Sequence, residues 1–228
     1  QDLASKIGKT AAPKFDTFVF DLDGTILDTL PDLVVHTNNV LAQCGYPTRS
    51  RAEILSYVGN GAAALMYQAV PEGTSADDAE AAITLWKAEY ASYPNDLTFP
   101  YKNVVELLGE LHARGCKVGV ASNKFGPGVV QILDKCLPGM IDAALGEGDG
   151  VPRKPDPTML QLVIDELGSR AERTMYIGDS PTDIECAIAA GVFSGAVTWG
   201  YHQIEDFAAS GWVPDVVLED PLDILQFA

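Results

Sequence analysis

The chain has 228 residues and a formal net charge of −17, a balance that argues against nucleic acid or an anionic membrane surface as a partner. Any anionic substrate must be drawn in by local cations and backbone amide dipoles, against the field of the whole protein. The length suits one large α/β domain or a core domain with a smaller insert. No apolar run approaches a membrane span, and the scattered Cys44, Cys116, Cys136 and Cys186 lack zinc-site spacing and predict a reducing, cytoplasmic setting.

Residues 1–14 are small and polar, lack the apolar centre of a signal peptide, and are expected to be a disordered lead-in. A first strand is predicted at 16–20, because Thr17 to Phe20 is short, β-branched and aromatic. From about Thr29 to Leu97 no strand is expected. Helical segments at 30–43, 51–56, 60–70 and 76–92 are separated by Gly45-Tyr46-Pro47, Gly59-Asn60-Gly61 and Pro71-Glu72-Gly73. Beyond Pro100, helices at 102–113, 125–135, 157–167 and 181–190 alternate with strands at 117–121, 141–145, 174–177, 194–198 and 215–218. Asp156-Pro157 reads as an N-cap followed by proline in the first helical turn. That alternation predicts a Rossmann-like parallel sheet with helices on its faces. Residues 15–28 and 98–228 would form the core domain and residues 29–97 an inserted helical cap. The chain would cross between them near Asp28-Thr29 and Thr98-Phe99-Pro100. An insert in that position is placed to act as a lid that excludes water.

The predicted first strand runs directly into Asp21-Leu22-Asp23-Gly24-Thr25. Open α/β sheets bind ligands at the carboxyl ends of their strands. Asp-Gly alone is a common turn dipeptide, but two carboxylates at i and i+2 on a buried strand repel, and call for a cation or a shared proton between them. Three further strand ends carry polar groups: Ser122-Asn123-Lys124, Arg153-Lys154-Pro155-Asp156-Pro157 and Gly178-Asp179-Ser180-Pro181-Thr182-Asp183. Parallel strands would bring all four to one edge.

Each group has a chemical use there. Asp21 can attack phosphorus and form an aspartyl-phosphate. Asp23 can protonate the leaving oxygen and then deprotonate water. Asp21, the backbone carbonyl of Asp23, and Asp179 offer hard oxygen ligands to Mg²⁺. The Ser122 hydroxyl, an Asn123 amide and the Lys154 ammonium can hold phosphoryl oxygens. Asp183, one helical turn beyond Asp179, can orient metal-bound water or Lys154. Taken singly, each segment also reads as a helix cap or an exposed loop.

With these four motifs in this order, the chain from about Phe15 to Leu218 resembles the haloacid-dehalogenase-like (HAD) superfamily phosphatases. The resemblance implies a modified Rossmann core, an all-helical C1 cap, Mg²⁺ dependence, a phosphorylated Asp21 and an acid/base Asp23, with Thr25 in the substrate site. Within the superfamily, the chain is most similar to the phosphoglycolate phosphatases. The supporting segments are Tyr57-Val58-Gly59-Asn60-Gly61, Ala121-Ser122-Asn123-Lys124, Arg153-Lys154-Pro155-Asp156-Pro157 and Thr198-Trp199-Gly200-Tyr201. The resemblance makes 2-phosphoglycolate the expected substrate, with Gly59, Asn60 and Gly61 offering amides to its carboxylate. Tyr101-Lys102 departs from the proline-glycine turn of many relatives and bears on the cap hinge.

Other readings share parts of this pattern. Another small phosphoester, such as a sugar phosphate, nucleotide or pyrophosphate, would use the same residues, as would a sugar phosphomutase. A dehalogenase would not need Asp23. A phosphonate hydrolase needs a cap lysine, and the predicted cap offers only Lys87, on a polar helix face. A non-enzymatic binding module on the same fold would not need Asp21, Asp23, Lys154 and Asp179 together.

Overall fold

The computed structural model describes residues 11–228. The first apolar run forms strand β1 (Thr17–Phe20), buried along its whole length. After the acidic turn comes a two-residue strand, β2 (Leu27–Asp28). The chain then builds four helices, α1 (Leu30–Gln43), α2 (Arg51–Tyr57), α3 (Gly61–Ala69) and α4 (Ala76–Tyr90), and returns through β3 (Phe99–Pro100). Helices and strands then alternate as α5 (Val104–Ala113), β4 (Lys117–Phe125), α6 (Gly126–Cys136), β5 (Ala143–Glu147), α7 (Thr158–Glu166) and β6 (Thr174–Gly178). The sequence closes with α8 (Pro181–Ala190), β7 (Phe193–Val197), α9 (Ile204–Ser210), β8 (Val216–Leu218) and a 3₁₀ segment, Pro221–Phe227.

Six strands form one sheet in the order β5-β4-β1-β6-β7-β8, and every pairing is parallel. Side-chain alternation divides the strands between two cores. Phe18, Phe20, Val118, Val120, Met175 and Ile177 face α5 and α6. Val19, Ala121 and Tyr176 face α7 and α8. Burying each large apolar side chain stabilises the fold by about 1.5–3 kcal/mol. The central position of β1, with β4 and β6 on its two sides, makes its carboxyl end the point where connections diverge. A crevice opens there in folds of this class.

The four helices between β2 and β3 bury a core of their own, in which Val40, Leu41, Met66, Ala82, Trp86 and Tyr90 pack together. The two connections to the sheet domain pair with each other, Leu27 with Pro100 and Asp28 with Phe99. Buried Asp32 in α1 ties the return connection down: it accepts hydrogen bonds from Tyr93 Oη (2.7 Å), the Leu97 amide (2.9 Å) and Thr98 Oγ1 (2.6 Å). The Tyr201 hydroxyl does the same for the outward connection. It accepts from the amides of Thr29 and Leu30 and donates to Asp28 Oδ1, each at 2.9 Å.

Several details differ from the sequence expectations. β4 does not stop at residue 121 but continues through Phe125, with a register shift against β5, so Ser122, Asn123 and Lys124 lie within the strand instead of just past its end. Pro157, not Asp156, is the N-cap of α7, although the Asp156 carboxylate still accepts the Thr158 amide. The β2/β3 pair, α9 and the 3₁₀ segment had no expected counterpart, being too short for any periodic signal. Residues 1–10 of the expected lead-in lie outside the described residues. Its last part is anchored, with Ala12 against the core and Lys14 Nζ donating to the carbonyls of Gln226 and Ala228. Among the described residues no helix is long and apolar enough to cross a membrane, and all four cysteines are separate thiols.

Candidate active site

Asp21 continues β1, its amide bonded to the Ile177 carbonyl of β6 at 2.9 Å. The strand carries it into the cavity between sheet edge and helices. Gly24 then turns the chain at φ +81°, and a Cβ there would come within 2.4 Å of Asp179 Oδ2 and 2.7 Å of the Tyr201 ring. Glycine is required twice at this position, for the backbone angle and for the approach of Asp179.

Asp179 and Asp183 are placed by the start of α8. Ser180 is its N-cap, Pro181 opens it and Asp183 stands at the third position, so Ser180 and Asp183 form a reciprocal capping box. Asp183 Oδ2 accepts from the Ser180 amide and hydroxyl. Its Oδ1 accepts from Lys154 Nζ at 2.8 Å and from Tyr176 Oη at 3.1 Å. A local helix-capping device thus presents a fully bonded carboxylate to the site. Asp179 accepts from Thr25 Oγ1 (3.3 Å) and the Tyr201 amide (2.9 Å).

Lys154 is buried with its three donor positions filled: Asp21 Oδ1 at 3.0 Å, Tyr176 Oη at 2.8 Å and Asp183 Oδ1 at 2.8 Å. Burial alone would lower its pKa, but Asp183 and Asp21 outweigh that and hold the ammonium above the usual lysine value. The Asp21 carboxyl is pushed well above its usual range by burial first, then by the charge of Asp183. Lys154 opposes the shift, while Asp179 and Asp23 add to it. Carboxylate oxygens of Asp21, Asp179 and Asp183 lie within 4.8 Å of one another. Hard oxygen donors with excess negative charge fit a divalent cation of the Mg²⁺ type. Because Asp183 already holds Lys154, Tyr176 and Ser180, it suits the outer position, leaving Asp21 and Asp179 to face an ion.

The expected residues do not all serve as expected. Asp21, Asp23, Ser122, Asn123, Lys154, Asp179, Asp183, Gly59 and Gly61 line one cavity. Thr25 and Asn60 are not among its lining residues; the Thr25 hydroxyl bonds Asp179, and Asn60 is exposed. The Asn123 side chain is a bracket. It donates to the carbonyls of Gly59 and Lys154, both at 3.1 Å, and accepts the Lys154 amide at 2.8 Å. The Asn60 carbonyl accepts from Arg153 Nη1, whose other partner is Glu147 at 3.9 Å. The glycine loop therefore docks on the sheet domain through its carbonyls. Gly61, at φ +87°, allows this approach: a Cβ there would meet Glu147 Oε2 at 3.0 Å and Arg153 Nη1 and the Asn123 carbonyl at 3.3 Å.

Sequence reasoning assigned no role to Lys124, Tyr201 or His202, and all three line the cavity. Lys124 is 5% exposed and its Nζ lies 3.2 Å from Asp23 Oδ1. Its ammonium faces the Tyr90 ring of α4 at 5.2 Å. Burial would depress its pKa, yet the Asp23 charge and Tyr90 raise it overall. Thr29 Oγ1 donates to the same Asp23 oxygen. His202 Nδ1 stands 3.7 Å from Asp179 Oδ2, an ion-pair separation too long for a hydrogen bond. Lys124 and Tyr201 stand in segments that carry the resemblance, Ala121-Ser122-Asn123-Lys124 and Thr198-Trp199-Gly200-Tyr201, but without a role of their own, and His202 arrives beside Tyr201 from a distant loop. The four helices between β2 and β3 contribute Leu33, Leu55, Val58, Ala62, Leu65 and Trp86, an apolar wall. The enclosed space is about 60 Å³, far below the roughly 300–1,000 Å³ of pockets for drug-sized molecules.

Residues 18–197 match the family model for haloacid dehalogenase-like hydrolases. The chain is 33% identical to phosphoglycolate phosphatase 1 of Pseudomonas aeruginosa over 216 residues, 92% of this chain and 78% of that one. It is also 33% identical to the phosphoglycolate phosphatase of Vibrio parahaemolyticus, covering 91% of this chain and 93% of that one. A crystal structure described as a predicted phosphoglycolate phosphatase from Haemophilus somnus superposes with a TM-score of 0.84 at 29% identity, covering 96% of this chain and 99% of that one.

Proposed function

This chain belongs to the haloacid dehalogenase-like hydrolase family and is a phosphatase, and from that premise we propose that it hydrolyses 2-phosphoglycolate in the cytoplasm through an aspartyl-phosphate on Asp21, with Mg²⁺ as cofactor. The observation that carries the reading is the convergence of Asp21, Asp23, Lys154, Asp179 and Asp183 in one small cavity beneath an apolar cap wall. The names of the relatives and the size of the cavity support 2-phosphoglycolate as the substrate.

An Asp21 oxygen attacks phosphorus as the bond to the ester oxygen breaks. Asp23, held by Thr29 and Lys124, gives that oxygen a proton, and glycolate leaves. Asp23 then takes a proton from water. The resulting hydroxide attacks phosphorus, the P–O bond to Asp21 breaks, inorganic phosphate leaves, and the Asp21 carboxylate is restored. Lys154 keeps Asp21 oriented through its contacts with Asp183 and Tyr176. Ser122 contributes a hydroxyl to the phosphoryl pocket, and Asn123 keeps Lys154 in place. Asp21, Asp179 and the carbonyl of Asp23 would hold Mg²⁺, with Asp183 behind them. When bound, the ion would offset the repulsion between nucleophile and phosphoryl oxygens. The helices of residues 29–97 act as the cap, and Gly59-Asn60-Gly61 closes it over the substrate.

Phosphate release from a panel of esters, with Mg²⁺ and with chelator, tests this reading. The panel comprises 2-phosphoglycolate, sugar phosphates, nucleoside monophosphates and pyrophosphate. The expected result is a strong preference for 2-phosphoglycolate that chelator abolishes. Equal rates across the panel would remove the substrate assignment, and release that is indifferent to chelator would remove the metal.

A further inference from the structure

We propose that Lys124 recognises the carboxylate of the substrate and so selects short phosphorylated acids over neutral phosphoesters. The inference rests on the phosphatase reading above and adds the residue that discriminates.

The two buried lysines of the cavity differ in what remains of their bonding capacity. An ammonium has three donors. Lys154 gives all of them to protein acceptors, Asp21, Tyr176 and Asp183. Lys124 has Asp23 Oδ1 as its acceptor at 3.2 Å and the Tyr90 side chain, ring and hydroxyl, beside it, which still leaves one donor without a protein acceptor. It is nonetheless nearly as inaccessible, at 5% exposure of its side chain against 3% for Lys154. A buried ammonium with a donor to spare is costly unless an anion completes its shell.

Its position defines which anion. Asp23 is the group that protonates the leaving oxygen, so the atoms attached to that oxygen lie beside Lys124. In 2-phosphoglycolate one carbon separates the ester oxygen from the carboxylate, which places the acid within reach of the ammonium. The remaining cap-side wall, with Leu33, Val58, Leu65 and Trp86, has no polar side-chain group to spare for substrate hydroxyls. The Trp86 indole N–H is already bonded to Thr37. Apart from Lys154 and Lys124, the cavity's titratable nitrogen among the described residues is His202, which stands against Asp179. In a chain of net charge −17, a carboxylate can enter this cavity only with a local cation.

The test compares kcat/KM for 2-phosphoglycolate and for 2-hydroxyethyl phosphate, its neutral analogue, in the wild type, Lys124→Met, Lys124→Gln and Lys124→Arg. For Lys124→Met and Lys124→Gln, the acid ester should lose about a hundredfold or more, the range for deleting one partner of a buried charge pair. The neutral ester should also slow, because Asp23 loses its partner, but at least about tenfold less than the acid ester, so that the ratio of the two kcat/KM values falls by about tenfold or more. Lys124→Arg should keep a preference for the acid. Inhibition by glycolate should weaken in step with the loss of preference. Equal losses on both esters would overturn the assignment and make Lys124 a support for Asp23 alone. If the wild type itself cleaves both esters equally, the substrate reading and this assignment fall together; a wild-type preference that Lys124→Met leaves intact removes only the assignment. Should Lys124→Met not fold, the Gln and Arg variants and glycolate inhibition of the wild type give the same decision.

Discussion

The two walls of the cavity are built on opposite principles. The sheet edge is crowded with buried charge, and nearly every polar atom there is bonded: Asp183 has four donors, Lys154 three acceptors, and Asp179 is held by Thr25 and Tyr201. The cap wall is hydrocarbon and indole. It meets the sheet domain through a few contacts, of which the loop carbonyls on Asn123 and Arg153 and the Tyr90 ring on Lys124 are the closest to the chemistry. The difference implies a division of labour. On the proposed function, the bond-making groups sit at the ends of rigid elements where their geometry is over-determined, while the helical wall would exclude water and read the rest of the substrate.

Changes at the sheet edge should therefore act on turnover, and changes at the cap contacts on substrate capture. Asp21→Asn should reduce kcat by about 10⁴-fold or more, as removal of a nucleophile does, while leaving the unfolding midpoint within a few degrees of the wild type. Retention of activity would remove Asp21 as nucleophile. Lys154→Met leaves Asp21 and Asp183 as uncompensated buried charges. It should lower the unfolding free energy by about 3–5 kcal/mol, measured by urea titration. A loss below 1 kcal/mol would mean that the cluster is not the closed network described.

On the cap side, Gly61→Val forces a side chain into the seam between loop and sheet domain at a positive φ. The cost is roughly 1–3 kcal/mol in the docked arrangement. It should raise KM about tenfold or more with a smaller change in kcat; an unchanged KM would show that the loop need not dock as seen. His36 probes the interior of the cap. Its imidazole is buried among Trp86, Tyr90 and Tyr93, with Nε2 bonded to the Trp86 carbonyl at 2.9 Å, and burial lowers its pKa below the usual 6.5. The unfolded chain then binds more protons than the folded one as pH falls below about 6.5. This contribution to stability is present above the unfolded value and decreases as acid is added, by up to about 1.4 kcal/mol per pH unit. His36→Phe should flatten that part of the pH–stability curve, and an unchanged slope would exclude His36 as its source. The smallest effect is expected for Arg153→Ala. Its side chain is 42% exposed, so the contact with Asn60 contributes at most about 1 kcal/mol, visible as a KM increase of a few-fold.

The sheet was legible because each strand carries its own signal: short β-branched and apolar runs such as Phe18-Val19-Phe20 and Met175-Tyr176-Ile177 have no other stable place than the centre of a parallel sheet. The positions of Asp21, Asp179 and Asp183 followed from strand ends and a helix cap, both local features. The end of the strand was placed too early, at residue 121, because polar residues such as Ser122 to Lys124 normally end a strand. Here they continue it, since the cavity gives Asn123 and Lys124 buried partners. Thr25 was assigned to substrate, yet its hydroxyl turns to Asp179, a residue 154 positions away.

By itself, then, the order of residues determined the elements, the sheet class and the carboxylates at the sheet edge, because local periodicity, capping and strand-end glycine act over a few residues. Only the tertiary structure decided which lysine is fully bonded and which has a donor left, that Tyr201 pins the entry to the helical insert, and that the glycine loop docks through its carbonyls. Those outcomes depend on which distant groups reach hydrogen-bonding distance once both cores have packed. No window of sequence contains that information, since a buried charge chooses its partners among all the elements that surround it.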